Sequence, residues 1–112
     1  MRKTAESKAG KYSDLETWNK KGLLKEGDTL EGYYIDQENF DTKYGPMVIY
    51  IIEESDGSKI KVTGQSDIKG KIADIPLGSH VWIRFDGLTE TKNGAMKTYT
   101  IDYDDEDKKE IA

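Results

Sequence analysis

Apolar and polar residues alternate along most of this chain in short runs separated by turn-forming residues, a pattern of half-buried strands. The runs Thr29–Gln37, Pro46–Glu53, Lys59–Gly64, His80–Glu90 and Met96–Tyr103 are read as five strands. In the third, Ile60 and Val62 share one face and Lys59, Lys61 and Thr63 the other. In the fourth, Val81, Ile83 and Phe85 alternate with His80, Trp82 and Arg84, and in the fifth Tyr99 and Ile101 point inward. The second run is apolar from Met47 to Ile52, so its phase stays open. If Val48, Tyr50 and Ile52 point inward, then Met47, Ile49 and Ile51 make an exposed strip; the opposite phase exposes Tyr50. Asp56-Gly57 and Asn93-Gly94 are hairpin-turn signals. Gly32, in mid-strand, marks a bulge or sharp coil.

Two segments carry helical spacing instead. Ile68, Ile72 and Ile75 recur at that spacing after Ser66, a capping residue, and before Pro76, a stop. Asp14–Lys25 predicts one or two helical turns, with Leu15, Trp18 and Leu23 toward the barrel. There Trp18 is read as a packing anchor at one barrel end, with base stacking as the alternative. Three strands, a short helix and two strands, in that order, predict an all-β domain with small α content. The expected architecture is a five-stranded Greek-key barrel of the oligonucleotide/oligosaccharide-binding (OB) type. Residues 1–14 are expected to be a flexible segment, 15–103 the barrel and 104–112 an acidic C-terminal tail.

Charge complicates that picture. The net charge is −5 in 112 residues, the wrong sign for gripping phosphates. Its distribution is uneven: residues 1–27 hold seven Lys/Arg and four Asp/Glu, residues 28–103 eight and thirteen, and residues 104–112 two and five. The basic excess is therefore N-terminal. With no cysteine, a disulfide or a Cys-based zinc site is excluded, and a reducing cytoplasm is the expected compartment. No apolar run is long enough to suggest a membrane span, and no secretory h-region follows the N-terminal charges.

Catalysis finds no parts. His80 is the single histidine and reads as structural or solvated, and no nucleophile–base pattern or Walker-type glycine loop appears. The expectation is no enzyme, no metal and no cofactor. Binding of a flexible polymer needs flat rings for bases and cations for the backbone. Trp82 beside Arg84 is the strongest outward pair, and Lys59 and Lys61 offer cations on the third strand. The polar loop expected at 38–45 carries Phe40, Lys43 and Tyr44, where loops of such barrels fold over ligands. Tyr33, Tyr50, Lys92 and Lys97 complete the candidates.

Several local motifs point to one family. They are Leu30-Glu31-Gly32-Tyr33, Lys43-Tyr44-Gly45, Asp56-Gly57 and Gly64-Gln65-Ser66, then Leu77-Gly78-Ser79 before Val81-Trp82-Ile83, Asp86-Gly87 and Asn93-Gly94. In these, residues 28–103 resemble the small OB-fold single-stranded DNA-binding proteins encoded by bacteriophages. The resemblance implies sequence-nonspecific protection of single-stranded DNA in phage replication or recombination, in the host cytoplasm. It also implies that an acidic tail, here ending Ile111-Ala112 where many such proteins carry a final phenylalanine, binds replication or recombination proteins. Two other readings remain. One is a non-catalytic protein-interaction or adaptor module, using the strand-2 strip for a partner or a homodimer; the other is an RNA-binding module.

Overall fold

The computed structural model describes residues 12, 14–20, 22, 24–43, 45–64, 66–92 and 94–108. They are mostly β-structure: β1 (Thr29–Thr42), β2 (Gly45–Glu53), β3 (Lys59–Thr63), α1 (Ser66–Ile72), β4 (Ser79–Thr91) and β5 (Gly94–Lys108). The strands form one antiparallel sheet in the order β3-β2-β1-β4-β5. β1 is thus central, pairing with β2 along its second half and with β4 along its first.

That double pairing needs β1 to bend, and two features allow it. A Cβ on Gly32 would stand 2.4 Å from the Glu53 carbonyl oxygen and 2.7 Å from Ile52 Cγ2, so only glycine lets the strands cross this closely. The register then slips between Tyr34 and Asp36, a bulge that turns the strand further. The bulge falls just beyond the glycine that signalled it.

One face of the sheet holds the core. Leu30, Tyr34, Val48, Tyr50, Ile52, Val62, Val81, Ile83, Phe85 and Tyr99 converge there, and Ile68, Ile72 and Ile75 from the helical region pack against them. Complete burial of each isoleucine is worth about 1.5–3 kcal/mol. Tyr50 therefore belongs to the core, edge-on to Tyr34 with centroids 5.9 Å apart, and is no stacking candidate. Ile49 and Ile51, on the opposite face of β2, are buried as well; only Met47 of the expected strip is exposed, at 38%. Both phases of β2 are apolar because both of its faces are covered.

The cover on the outer face comes from the N-terminal segment. It forms no helix among the described residues of 14–25. Instead Thr17 makes a parallel bridge to Lys61: Trp18 N–H donates to the Lys61 carbonyl (2.8 Å), and Lys61 N–H donates to that of Glu16 (3.0 Å). The Asn19 side chain continues the pairing as a peptide group would. Its Nδ2 donates to the Thr63 carbonyl (2.9 Å), and its Oδ1 accepts from Thr63 N–H (2.8 Å). The open donors of the β3 edge, which a periodicity argument ignores, outcompete local helix. Trp18 packs against the core as an anchor, its ring 6.1 Å from that of Tyr99. At the other end of the sheet, α1 meets the β5 edge: Asp67 accepts from Tyr99 N–H (2.8 Å), and Lys71 donates to the Tyr99 carbonyl.

Two hairpins are longer than expected. Residues 38–42, expected in a loop, extend β1 and pair with β2 as far as Thr42↔Gly45. Likewise residues 104–108, expected in an acidic tail, continue β5. No helix among the described residues is long and apolar enough to cross a membrane.

Candidate functional site

Strand alternation and register bring the site together on the outer face. Lys59, Glu53, Tyr33, His80 and Asp104 are successive cross-strand partners, forming one row across all five strands. The neighbouring row places Trp82 between Glu31 and Asp102, and the next places Arg84 between Thr29 and Thr100. Side chains on adjacent strands in such rows lie within contact distance.

Three rings stack where the first two rows meet. Tyr33 and His80 have centroids 4.8 Å apart and planes 29° apart; His80 and Trp82 are at 4.0 Å and 21°. The imidazole is the middle of the stack, and both its nitrogens are engaged. Nδ1 lies 2.8 Å from Asp107 Oδ2, and Nε2 lies 2.9 Å from Glu31 Oε2. Tyr33 Oη also donates to Asp107, at 3.2 Å. Burial pulls the His80 pKa down, but the hydrogen bonds it makes to Asp107 and Glu31, with their charges, outweigh it and raise the value above that of ordinary imidazole. The same contact, with help from Tyr33, lowers the Asp107 carboxyl. A cleft of about 300 Å³ opens beside the stack, lined by Glu31, Gly32, Tyr33, Glu54, Ser55, Asp56 and His80.

Trp82 ends the stack and is 39% exposed, leaving aromatic surface available to a planar ligand. Arg84, two residues along the same face, is exposed but tied: Nε donates to Asp86 (2.7 Å) and a terminal nitrogen to Thr100 Oγ1 (3.1 Å). Asp86 also accepts from Thr100, and these contacts lower its carboxyl pKa.

The remaining candidates scatter. Lys59 is exposed on the same face as Trp82, three strands away, roughly 14 Å at normal strand spacing. Lys61 is half-buried, with Nζ 3.5 Å from the Tyr12 carbonyl. Lys43 and Lys92 are exposed at the tips of the two long hairpins. Lys97 lines a separate groove of about 520 Å³ with Gly22, Leu24, Glu26, Phe85, Gly87 and Leu88, apart from the ring stack. Tyr44 lies outside the described residues, as do the side chain of Phe40 and residues 109–112. The β1 backbone at Phe40 is in the sheet opposite Met47.

Sequence reasoning missed His80, Glu31 and Asp107. His80 and Trp82 are two apart on a strand, a signal that they share a face; the part of Asp107 depends on a register that no local pattern reveals. Among the described residues no group of histidine and carboxylate side chains has a metal-binding arrangement. No family model, curated protein or solved structure matches this chain.

Proposed function

We propose that this chain is a non-catalytic OB-type module that binds single-stranded DNA without sequence preference. The strand order β3-β2-β1-β4-β5, with a helix between β3 and β4, agrees with that architecture. The observation that carries the reading is the exposed Trp82 ring at the end of the Tyr33–His80–Trp82 stack. A base stacked on such a ring contributes about 1–3 kcal/mol whatever its identity, because every base has a π-face. A ring already held by neighbours loses little conformational freedom when the base arrives.

The backbone contacts are sparse. Lys59 and Arg84 share the face with Trp82, whereas Glu31 and Asp102 flank the ring in register. Stacking then supplies most of the affinity. With two or three phosphates neutralised, the logarithm of the affinity should fall with that of salt with a slope of about 1.4–2.1. The setting that the sequence resemblance implies, phage DNA replication or recombination, fits a binder of this kind. Protein partners for the acidic end belong to the same proposal.

Fluorescence anisotropy of a labelled oligo-dT of about 30 nucleotides, with a duplex control, tests the reading. The expected result is binding to the single strand alone, weakened about 5- to 150-fold by Trp82→Ala. Unchanged affinity in that variant, or no binding at low salt, sinks it. A second reading, a protein-interaction module, is favoured by Leu88, 67% exposed beside the groove lined by Leu24 and Phe85. It predicts that Leu88→Glu, and not Trp82→Ala, abolishes the chain's activity.

A further inference from the structure

The proposed stacking platform depends on a residue that touches no base in that reading. We infer that His80 is the positioning residue of the platform: tied to Glu31 and Asp107 and sandwiched between Tyr33 and Trp82, it sets the plane of the Trp82 ring. The inference rests on the single-strand reading above and extends it to a condition under which the site works.

Consider first the imidazole's constraints. Its side chain is 16% exposed, packed between two rings, with a carboxylate at each nitrogen. Carboxylates only accept hydrogen bonds, so both contacts are satisfied at once only when both nitrogens carry protons. The imidazolium is therefore the form that fits this geometry. A neutral imidazole keeps one donor and turns a lone pair toward the other carboxylate. One of the two contacts then fails, and the ring loses its fixed plane.

The groups around it set the direction of the effect. Glu31 faces it from β1 and Asp107 from β5. Asp104 is its register partner on β5, and Glu54 and Asp56, in the turn after β2, share the cleft. These carboxylates favour the cation. The Tyr33 hydroxyl, on the ring stacked on it from β1, has its own pKa raised above the ordinary tyrosine value, chiefly by its bond to Asp107, and stays neutral where an imidazole titrates. Arg84, two residues along β4, is tied to Asp86. Below the raised His80 pKa the stack is tied at both nitrogens; as the pH rises through it, one tie is lost. Trp82, which has His80 against one face, then samples more orientations, and a base pays the cost of ordering it.

The chain's single histidine makes this measurable, since one imidazole resonance belongs to His80 without assignment. Its Cε1–H shift, followed by NMR from about pH 5 to 9, gives the titration midpoint. Anisotropy with oligo-dT over the same range gives the affinity. The expected result is a midpoint above that of ordinary imidazole and an affinity that falls about fivefold across it, the low end of a stacking contribution. Glu31→Gln should lower both midpoints together. His80→Phe, which keeps a ring but loses both ties, should bind more weakly with no pH step. His80→Lys, which keeps a cation but no ring, should bind as weakly as His80→Ala.

A flat affinity profile in the wild type, or wild-type affinity in His80→Lys, overturns the inference. The second outcome would make His80 a simple phosphate-binding charge. The nuclear Overhauser contact between the His80 and Trp82 rings separates this inference from the reading it rests on. If it weakens above the midpoint while no variant binds a single strand at any pH, positioning stands and the single-strand reading falls. If it stays constant with pH, positioning falls.

Discussion

The two halves of the outer sheet face differ in what covers them. On the β2–β3 half, Ile49 and Ile51 are buried and the chain between Glu16 and Asn19 runs along the β3 edge. Tyr12 spans Ile51: its hydroxyl donates to Asp36 and its carbonyl accepts from Lys61, the two register partners of Ile51. On the β1–β4 half nothing comparable lies over Trp82 among the described residues, and its ring, at the end of the stack, stands exposed. An OB barrel commonly binds its ligand on the β2–β3 face. In this chain that half is built like interior, and the exposed aromatic that the proposed function relies on lies on β4 instead. An apolar residue on an outward face is thus evidence of cover, whereas an aromatic beside charged residues is evidence of use.

Paired substitutions test this contrast. Ile51→Ala should cost about 2–5 kcal/mol of stability in urea denaturation. Trp82→Ala should stay within about 1 kcal/mol of wild type in the same assay, since a half-exposed ring leaves no closed cavity. Equal costs would erase the distinction between the halves. Asn19→Ala comes next, at about 1–3 kcal/mol, because it strands the Thr63 N–H and carbonyl on the covered half. A loss below that range would mean water replaces the amide and the segment is dispensable. Lys59→Gln should leave stability unchanged and reduce the salt slope of DNA binding by about 0.7, one phosphate on a single strand. An unchanged slope would confine contacts to the β4 side.

The smallest expected effect is in acid. Asp86 has its carboxyl pKa lowered by Thr100 and Arg84, so its contribution is present above the unfolded-state value and lost as pH falls through the depressed one. Asp86→Asn should flatten the thermal-stability profile slightly in that window only. His80 runs the opposite way: its raised pKa gives a contribution complete below the unfolded value and lost as pH rises through the folded one. A melting temperature that rises on the alkaline side would contradict the doubly tied imidazolium.

The strands were legible wherever one face meets the core and the other meets water, as in Val81, Ile83 and Phe85 against Trp82 and Arg84. They were not legible where strand residues answer to a partner strand rather than to the core. Glu38, Asn39 and Asp41 have loop character, yet the β1–β2 register pairs them with Ile49, Val48 and Pro46 respectively. Asp104 and Asp107 read as solvated tail, but pairing with β4 carries them to the rings. Leu15 and Trp18 have helical spacing, and the vacant β3 edge decided otherwise. For the site, Trp82 was visible as an outward aromatic. The stack was not, because it joins residues 47 positions apart, Tyr33 and His80, through a register set by the whole sheet.

The Asn19 amide on β3 and the Asp67–Lys71 pair on β5 have a consequence beyond stability. Each occupies a backbone donor and acceptor at a sheet margin, Thr63 in one case and Tyr99 in the other, that would otherwise template a foreign strand. On the single-strand reading proposed above, copies of this chain would be brought into crowded, repeated contact, the condition under which sheets fuse edge to edge. Side chains borrowed from elsewhere in the fold guard those margins at two points, and on that reading they keep neighbours on one strand from annealing into aggregate.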